Sequence, residues 1–299
     1  MVALTLLHVG LHKTASTSFQ VTCGKNRKWL EARGFCYPRL FNQEGGVETE
    51  NHSIALYNIF SRSRAEYIPN TGKRISMIEN DLRVYRRLLL LELFKKGSLI
   101  LSGEDVSDLG VGEQESLAVY LSSFSHLLKT FAVVRSPYSL HCSAFAGMIA
   151  SGRALKPTSF LSQLGKIKKL RASFCRRGNI AAIQFIPFMT TLKATQGPAR
   201  SLLELMGFND LDGLSSEVKN EGLSNEQTRN QLSLNLENPR VVGGKINPLW
   251  QRAAKAKGSK FLLTQREFDL IMPNILEENK WFEENLGKEF CDTSFPTCD

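Results

Sequence analysis

Short apolar segments alternate with longer amphipathic segments along the first two thirds of the chain. The apolar segments are residues 4–9, 98–102, 130–134 and 180–186, with a shorter candidate at 35–38. Helical patterns lie between or after these segments, at residues 78–96, 114–128 and 199–206. Buried strands that alternate with helices are typical of a parallel sheet covered on both faces. The sequence therefore predicts an α/β fold, a three-layer sandwich around a central parallel sheet.

The C-terminal part follows a different pattern, in which helices succeed one another. These predicted helices lie near residues 224–236, 247–256 and 265–285. The sequence has no internal repeat, and no linker rich in Pro, Gly or Ser divides it. We therefore predict one domain over residues 1–299, with a core of about 1–210 and a helical portion of about 211–299.

The basic residues of the chain are unevenly distributed. There are 38 Lys and Arg against 29 Asp and Glu, a formal net charge of +9. Residues 116–203 contain 12 Lys and Arg and no Asp or Glu, so the excess lies in that segment. A basic segment attracts anionic ligands through its field. A solvated basic face without a dedicated ligand is the alternative interpretation.

Composition and targeting signals limit the class of protein. A hydrophobic fraction of 42% and a charged fraction of 22% are ordinary for a globular protein and exclude a disordered chain. No stretch approaches the ~20 apolar residues that span a bilayer, and residues 1–9 lack the features of a signal peptide. We expect a cytoplasmic enzyme, with a trimmed luminal domain as the alternative. Cys291 and Cys298 flank a short loop and either pair or stay reduced.

Residues 10–18, with the sequence GLHKTASTS, connect the first predicted strand to a helix. Gly10 permits a sharp turn, and small or hydroxylic residues follow at the start of the helix. Free N–H groups and the helix dipole make such a start a site for an anion, to which Lys13 adds a cation. The Walker A pattern G-x-x-x-x-G-K-[ST] is not met, because Gly10 lies three residues before Lys13 and no glycine directly precedes the lysine. A polar helix cap with an exposed lysine is the alternative.

A second candidate site follows the strand at residues 130–134. Arg135 comes directly after that strand, in the sequence R-S-P-Y, and Ser143 follows eight residues later. An arginine at the carboxyl end of a central parallel strand points into the crevice where α/β sheets bind ligands. The guanidinium geometry suits a phosphate, and a nearby hydroxyl can share it.

Together, the segments VGLHKTASTSFQ and VVRSPYSLHCSAF resemble the PAPS-dependent sulfotransferase family, where PAPS is 3′-phosphoadenosine 5′-phosphosulfate. The first segment is similar to the family's 5′-phosphosulfate loop and the second to its 3′-phosphate site. The HKTxxTSxQ pattern looks more like the bacterial and carbohydrate-type members. The resemblance covers about residues 4–150 and implies a core like that of the P-loop NTPases. In this sequence, Ala15 stands where glycine is usual in the family.

The resemblance also implies roles for individual residues. PAPS would donate its sulfuryl group to a hydroxyl or amine of a carbohydrate or glycolipid acceptor. Lys13 would neutralise charge on the bridging oxygen, and Arg135 and Ser143 would hold the 3′-phosphate. Beside Lys13, the 5′-phosphate would be held by the backbone N–H groups of Thr14, Ala15, Ser16, Thr17 and Ser18 and by the hydroxyls of Thr17 and Ser18.

The acceptor needs a general base, for which the sequence offers two candidates. His52 titrates near neutral pH and suits this work. Glu104 follows the strand at residues 98–102 and is expected in the same crevice as Arg135. We favour His52 as the base, with Glu104 orienting the acceptor or Lys13, and the reverse assignment stays open. In-line transfer depends on positioning and charge stabilisation, and no group of residues has metal-ligand spacing in the sequence, so we expect no metal.

Two other functions remain open at this point. A nucleotide-dependent kinase of related fold lacks support from a complete Walker A loop or a clear Walker B aspartate. A nucleotide- or polyanion-binding protein without turnover would not need both the Lys13 loop and the pair of Arg135 and Ser143. We expect PAPS or adenosine 3′,5′-bisphosphate as ligand and no nucleic acid as partner. The basic residues at 153–177 suggest either steering of the donor or an acidic acceptor.

Overall fold

The computed structural model describes residues 2–41, 49–192, 197–217, 222–243 and 245–298. The strands are β1 Val2–Val9, β2 Phe35–Cys36, β3 Ser98–Gly103, β4 Ser125–Val134, β5 Gln184–Pro187, β6 Val241–Val242 and β7 Lys245–Ile246. The helices are α1 Ser16–Lys25, α2 Arg27–Glu31, α3 Ser53–Phe60, α4 Ile75–Leu93, α5 Val111–Ser123, α6 Pro137–Ala150, α7 Leu164–Ser173, α8 Phe188–Thr191, α9 Pro198–Leu205, α10 Asn225–Glu237 and α11 Gln265–Asn285. Short 3-10 turns lie at Arg64–Glu66, Ile68–Asn70, Glu104–Asp108 and Lys288–Phe290.

The chain folds into two compact units. The first contains Met1–Val134 and Leu164–Lys219, and the second contains Arg135–Gln163 and Asn220–Asp299. This division differs from the one drawn near residue 210 on the sequence, because α6 packs with α10 and α11 in the second unit. The second unit has its own apolar core, in which residues of α6 such as Phe145 and Ile149 meet Phe261 and Ile275.

The first unit is built on a parallel sheet of five strands. Its strand order is β2-β3-β1-β4-β5, with each neighbouring pair parallel. Helix α3 packs on β3 and α5 on β4, while α1 and α9 pack against each other over an apolar cluster of strand residues. The prediction of an α/β fold around a central parallel sheet is confirmed. In the register of β1 and β3, Val9 lies opposite Gly103, so both strands end at one edge of the sheet.

The strand residues alternate between the two faces of the sheet, and nearly all are apolar. On one face, Leu6, Ile100 and Val133 pack with Phe19 of α1 and Leu202 of α9, and all five are at most 2% exposed. Each large apolar side chain that leaves water in this way contributes about 1.5–3 kcal/mol. Burial on both faces explains why these strands read as continuous apolar runs in the sequence.

Strand β4 begins five residues before its predicted start, and α5 ends at Ser123 where the sequence predicted a helix to residue 128. The buried hydroxyl of Ser125 explains the change. It lies 2.6 Å from the Thr5 hydroxyl and donates to the Leu121 carbonyl at 2.9 Å. These bonds fix the turn between α5 and β4, so that β4 pairs with β1 from Val2 onward.

The helix predicted at residues 247–256 is absent, since these residues form turns and extended chain. Asn247 precedes a proline and caps the turn through a bond from the Leu249 N–H to its side-chain oxygen at 2.9 Å. Beyond the turn, the Gln231 side chain donates to the Gln251 carbonyl and accepts from the Ala253 N–H, at 3.0 and 2.8 Å. The Gln231 side chain of α10 thus binds backbone groups that would otherwise bond within a helix. Hydrophobic periodicity does not reveal such a contact.

Two further findings bear on the expectations about location and cysteines. Among the described residues, no helix combines the length and the apolar character that crossing a membrane requires. Cys291 and Cys298 are free thiols. The Cys291 thiol donates to the Asn279 carbonyl and the Cys298 thiol to the Leu262 carbonyl, each at 3.3 Å.

A buried polar network lies where β1 and β3 approach the end of the sheet. The His8 Nδ1 lies 2.8 Å from the Ser102 hydroxyl, which also accepts from the Gln20 amide at 3.2 Å. The Ser102 backbone N–H donates to the Nδ1 of the His52 ring, and the Ser102 carbonyl accepts from the backbone N–H of His52. Burial lowers the pKa of both histidines to about 4, so both are neutral at physiological pH.

Acidification is expected to destabilise this fold through His8 and His52. A histidine of the unfolded chain has a pKa near 6.5, so below that pH the unfolded state binds more protons than the folded state. The stabilisation is complete above pH 6.5 and is lost as the pH falls toward 4, at about 1.4 kcal/mol per pH unit for each ring. Denaturant unfolding at pH 7 and pH 5 measures the loss.

Two variants control this prediction. His8→Leu should reduce the pH dependence by up to about 1.4 kcal/mol per pH unit, because it removes one of the rings whose pKa burial lowers. His126→Gln should change nothing, since His126 is exposed. Equal unfolding free energies for the wild type at the two pH values would contradict the assignment of buried neutral rings.

Candidate functional site

The loop between β1 and α1 holds its backbone in a strained conformation. Of the described residues other than glycine, Lys13 and Ala15 have positive φ angles, of 69° and 64°. This left-handed conformation costs roughly 1–2 kcal/mol per residue when a Cβ is present. Strain of this kind concentrates at functional sites, and turns that contain left-handed residues form concave anion sites from backbone N–H groups. Ala15 adopts a conformation that glycine would reach without this cost.

The first turn of α1 supplies further hydrogen-bond donors. Its N-cap is Ala15, whose side chain makes no capping bond, and this first turn contains no acidic residue. Ser16 and Ser18 are buried, whereas Thr17 is half-buried and Lys13 is exposed. The first N–H groups of a helix have no partner within the helix and carry partial positive charge. This turn is therefore suited to an anion.

The hydroxyl of Thr14 turns toward the protein, where it donates to the Leu11 carbonyl. It also lies 3.5 Å from the Ser16 hydroxyl, and both residues are at most 2% exposed. The hydroxyls of Thr14 and Ser16 thus stabilise the loop itself, and of the two hydroxyls that the sequence assigned to a phosphate, that of Ser18 belongs to a buried residue. Thr17 remains the hydroxyl best exposed to a ligand.

Gly10 allows three segments to meet at the end of β1. Its N–H donates to the Gly103 carbonyl at 3.3 Å. A Cβ built on Gly10 would lie 2.6 Å from the Ser16 Oγ and 2.7 Å from the Glu104 Cγ. The start of α1 and the turn after β3 therefore pack directly against this position, which no larger residue fits.

A cluster of charged side chains lies beside the loop, in the first unit. Glu104 and Asp105 follow β3 directly, and Asp108 ends the same turn. His12 contacts all three: its Nδ1 is 3.0 Å from Glu104 Oε2, and its Nε2 is 3.7 Å from Asp105 and 3.5 Å from Asp108. Lys166 of α7 lies 2.5 Å from Asp108. The cluster thus pairs three carboxylates with two basic side chains.

The charges in this cluster perturb one another. Hydrogen bonds with Asp108 and Glu104 raise the pKa of His12 to about 9, so its ring is a cation at neutral pH. Burial by itself would raise the pKa of Asp108, but hydrogen bonds from His12 and Lys166 lower it to about 2. The pKa of Asp105 is raised, mainly by burial.

His12, Asp105 and Asp108 also have the geometry of a possible metal site, since one ligand atom from each lies within 4.8 Å of the others. The sequence spacing did not indicate this group, because the two aspartates become neighbours of His12 only through the pairing of β1 with β3. The protonated ring of His12 and the ammonium group of Lys166 compete with a metal ion for these ligands.

His52 lies in the first unit but is completely buried. Its Nε2 is 2.9 Å from the Pro38 carbonyl, and its Nδ1 accepts from the Ser102 N–H at 3.0 Å. Both ring nitrogens are therefore occupied by backbone groups, and burial lowers the pKa to about 4. This geometry speaks against His52 as the general base and gives it a role in fixing the start of α3 to β3.

Arg135 and Ser143 belong to the second unit. The Arg135 Nε donates to the Ser139 hydroxyl at 2.8 Å, and Ser143 is half-buried one turn further along α6. Burial lowers the pKa of Arg135 to about 10, so the guanidinium stays charged at neutral pH. Asp292 caps α6, accepting from the Ser136 hydroxyl at 2.6 Å and from the backbone N–H groups of residues 138 and 139. Neither Ser139 nor Asp292 was indicated by the sequence.

Comparisons with known proteins add little to this geometry. No family model and no curated protein matches the sequence. Similar solved structures include one from the PezAT chromosomal toxin–antitoxin system of Streptococcus pneumoniae, with 11% identity, coverage of 79% of this chain and 84% of that one, and a TM-score of 0.31. Another is retinol dehydratase in complex with androsterone and inactive cofactor PAP, with 11% identity, coverage of 98% and 82%, and a TM-score of 0.34. Similarity this low leaves the function to be inferred from the chain's own residues.

Replacing Gly10 by alanine is expected to disrupt the site. The new methyl group would overlap the Ser16 hydroxyl and the Glu104 side chain, and overpacking of this kind costs about 1–3 kcal/mol. Denaturant unfolding of Gly10→Ala measures the cost. Gly112→Ala is the matched control, because a Cβ there meets no atom within 4 Å and the change within α5 should be neutral or stabilising. Equal stability of the two variants would contradict the close packing at Gly10.

Proposed function

We propose that the chain is a sulfotransferase that moves the sulfuryl group of PAPS to a hydroxyl or amine of a carbohydrate or glycolipid acceptor. The acceptor atom forms a bond to sulfur while the bond from sulfur to the 5′-phosphate oxygen breaks. The electron pair of that bond stays on the leaving adenosine 3′,5′-bisphosphate. The proton of the acceptor passes to a carboxylate of the enzyme, which we assign to Glu104.

The observation that carries this proposal is the strained loop from Gly10 to Ser18. It combines left-handed residues, the uncapped first turn of α1 and the exposed cation of Lys13. These features favour an anionic group at the helix start. Lys13 is suited to stabilise the negative charge that develops on the leaving oxygen, a form of electrostatic catalysis. The sequence resemblance to the 5′-phosphosulfate loop supports the same assignment.

Glu104 is the better candidate for the base. It follows β3 directly, packs against Gly10 at the end of the neighbouring strand β1, and its side chain is 18% exposed. An accessible carboxylate next to the loop from Gly10 to Ser18, which we call the anion loop, fits the geometry that a general base requires. His52, by contrast, has both ring nitrogens bonded to backbone groups.

Arg135 and Ser143 are assigned to the 3′-phosphate on the basis of the sequence resemblance. The support from the second unit is that Arg135 is charged and half-buried and that hydroxyl groups lie along the first turns of α6. A guanidinium group recognises phosphate through paired hydrogen bonds. ADP lacks a 3′-phosphate, so Arg135 is expected to favour adenosine 3′,5′-bisphosphate over ADP.

One observation favours a second candidate, a metal-dependent nucleotide kinase. Asp105 and Asp108 follow the strand next to β1, and with His12 they form a group with metal-ligand spacing. P-loop enzymes hold Mg²⁺ with an acidic residue and a hydroxyl of the phosphate loop. Against this, Lys166 already neutralises Asp108 at 2.5 Å.

Nucleotide binding separates the two candidates. Adenosine 3′,5′-bisphosphate at ~100 times its Kd should add about 2.7 kcal/mol of stability, whereas ADP and ATP with Mg²⁺ should add less. Thermal unfolding measures each shift. Lys13→Met and Arg135→Met should reduce the shift with the bisphosphate, and Lys28→Met, an exposed residue of α2, should leave it unchanged. A shift with ATP and Mg²⁺ alone would replace the sulfotransferase proposal by the kinase.

Glu104→Gln is expected to lower kcat by about 10²–10⁴-fold, the usual contribution of a general base. The affinity for adenosine 3′,5′-bisphosphate should stay within a factor of two or so, since the base does not bind the donor. Turnover is followed as bisphosphate released from PAPS in the presence of mixed glycans and glycolipids. Glu79→Gln, at an exposed position of α4, is the control. A kcat loss of less than about tenfold would exclude Glu104 as base. If the wild type binds adenosine 3′,5′-bisphosphate but does not produce it from PAPS, the chain is a binding protein without turnover.

A further inference from the structure

His12 contacts every carboxylate of the charged cluster, yet the proposed binding of the donor and the proposed transfer step assign no role to its side chain. It follows Leu11 and precedes Lys13, so it belongs to the same loop that the donor is proposed to occupy. Its ring reaches across to the turn after β3 and contacts three of the carboxylates there. A side chain in this position connects the two strands whose ends form the candidate site.

The two nitrogens of the ring face different partners. Nδ1 lies 3.0 Å from Glu104 Oε2, and because an ionised carboxylate only accepts hydrogen bonds, Nδ1 is the donor. Nε2 faces Asp105 and Asp108 at the longer distances of 3.7 and 3.5 Å. The short contact is therefore the one to the proposed base, and the aspartates hold the other end of the ring.

The charged groups that contact the ring or its partners in the described part of the chain act in both directions. Glu104, Asp105 and Asp108 stabilise the imidazolium, and Lys166 of α7 opposes it. Lys166 is itself bound to Asp108, and Tyr67 donates a hydrogen bond to Asp105. Asp105 and Asp108 thus each bind a second side chain besides His12. The short hydrogen bond of the His12 ring goes to the Glu104 side chain.

We propose that His12 is a positioning residue that holds the Glu104 carboxylate in its reactive orientation through the bond from Nδ1 to Oε2, an inference that rests on the proposed function. A carboxylate on a flexible side chain has several rotamers, and fixing one of them reduces the entropy that the reaction must overcome. The bond uses one lone pair of one carboxylate oxygen, so the other oxygen stays open to the acceptor proton. In this role His12 acts through Glu104 and not on the reacting atoms.

The contact is tested first without turnover. The ring of His12 is titrated by NMR in the wild type, in Glu104→Gln and in Glu79→Gln as control. The wild-type midpoint is expected near pH 9, and Glu104→Gln should lower it by at least about one pH unit because an opposite charge is removed. A midpoint near 6.5 in the wild type, or the same midpoint in Glu104→Gln, would overturn the proposal.

The role in catalysis is tested with three replacements of His12. The side-chain amide nitrogen of Asn can take the place of Nδ1, whereas that of Gln reaches toward the place of Nε2. We expect His12→Ala and His12→Gln to lower kcat about 10- to 100-fold, with little change in the KM for PAPS, and His12→Asn to restore most of it. If Gln restores activity and Asn does not, or if all three keep the wild-type kcat while melting at lower temperature, His12 is only structural.

Two results distinguish this inference from its alternatives. If the wild type binds adenosine 3′,5′-bisphosphate but releases none from PAPS, the proposed function fails and the positioning role falls with it, whatever the NMR titration shows. If Mg²⁺ or Mn²⁺ at millimolar concentration raises the melting temperature of the wild type but not that of Asp108→Asn, the cluster is a metal site. His12 would then be a ligand, and the positioning role is overturned.

Discussion

The parallel pairing of β1 with β3 is the constraint on which the candidate site depends. Because Val9 lies opposite Gly103, the loop that begins at Gly10 and the turn that begins at Glu104 emerge side by side. A shift of the register by one residue would turn every buried side chain of β1 to the opposite face. The apolar packing of both faces therefore also fixes which charged groups meet at the edge of the sheet.

The polar network beneath that edge stabilises the same arrangement. Ser102, the residue before the end of β3, bonds to His8 of the neighbouring strand, to Gln20 of α1 and to His52. Buried polar groups are costly unless they are hydrogen-bonded, so such a network tolerates few alternative arrangements. It holds β1, α1, β3 and the start of α3 together, and the strained loop depends on this support.

The basic segment at residues 116–203 has several uses rather than one. In the first unit, Lys166 pairs with Asp108 and Lys169 donates to the Leu109 carbonyl. These lysines hold α7 to the turn after β3, so part of the charge that suggested an acidic acceptor is neutralised within the fold. A count of charges along the sequence shows an excess but does not show which charges are already paired.

By itself, the sequence determined the parallel sheet, and it indicated the loop from Gly10 to Ser18 and the candidate residues Lys13 and Glu104, because apolar periodicity and local turn chemistry act over short distances. Helix 247–256 was predicted wrongly because Gln231, from another element, supplies its backbone partners. Only the tertiary structure showed that both ring nitrogens of His52 bond to backbone groups, and only it brought His12 to the carboxylates. Burial lowers the pKa of His52, and contacts with residues distant in sequence raise that of His12. Such contacts leave no pattern in the residues that make them.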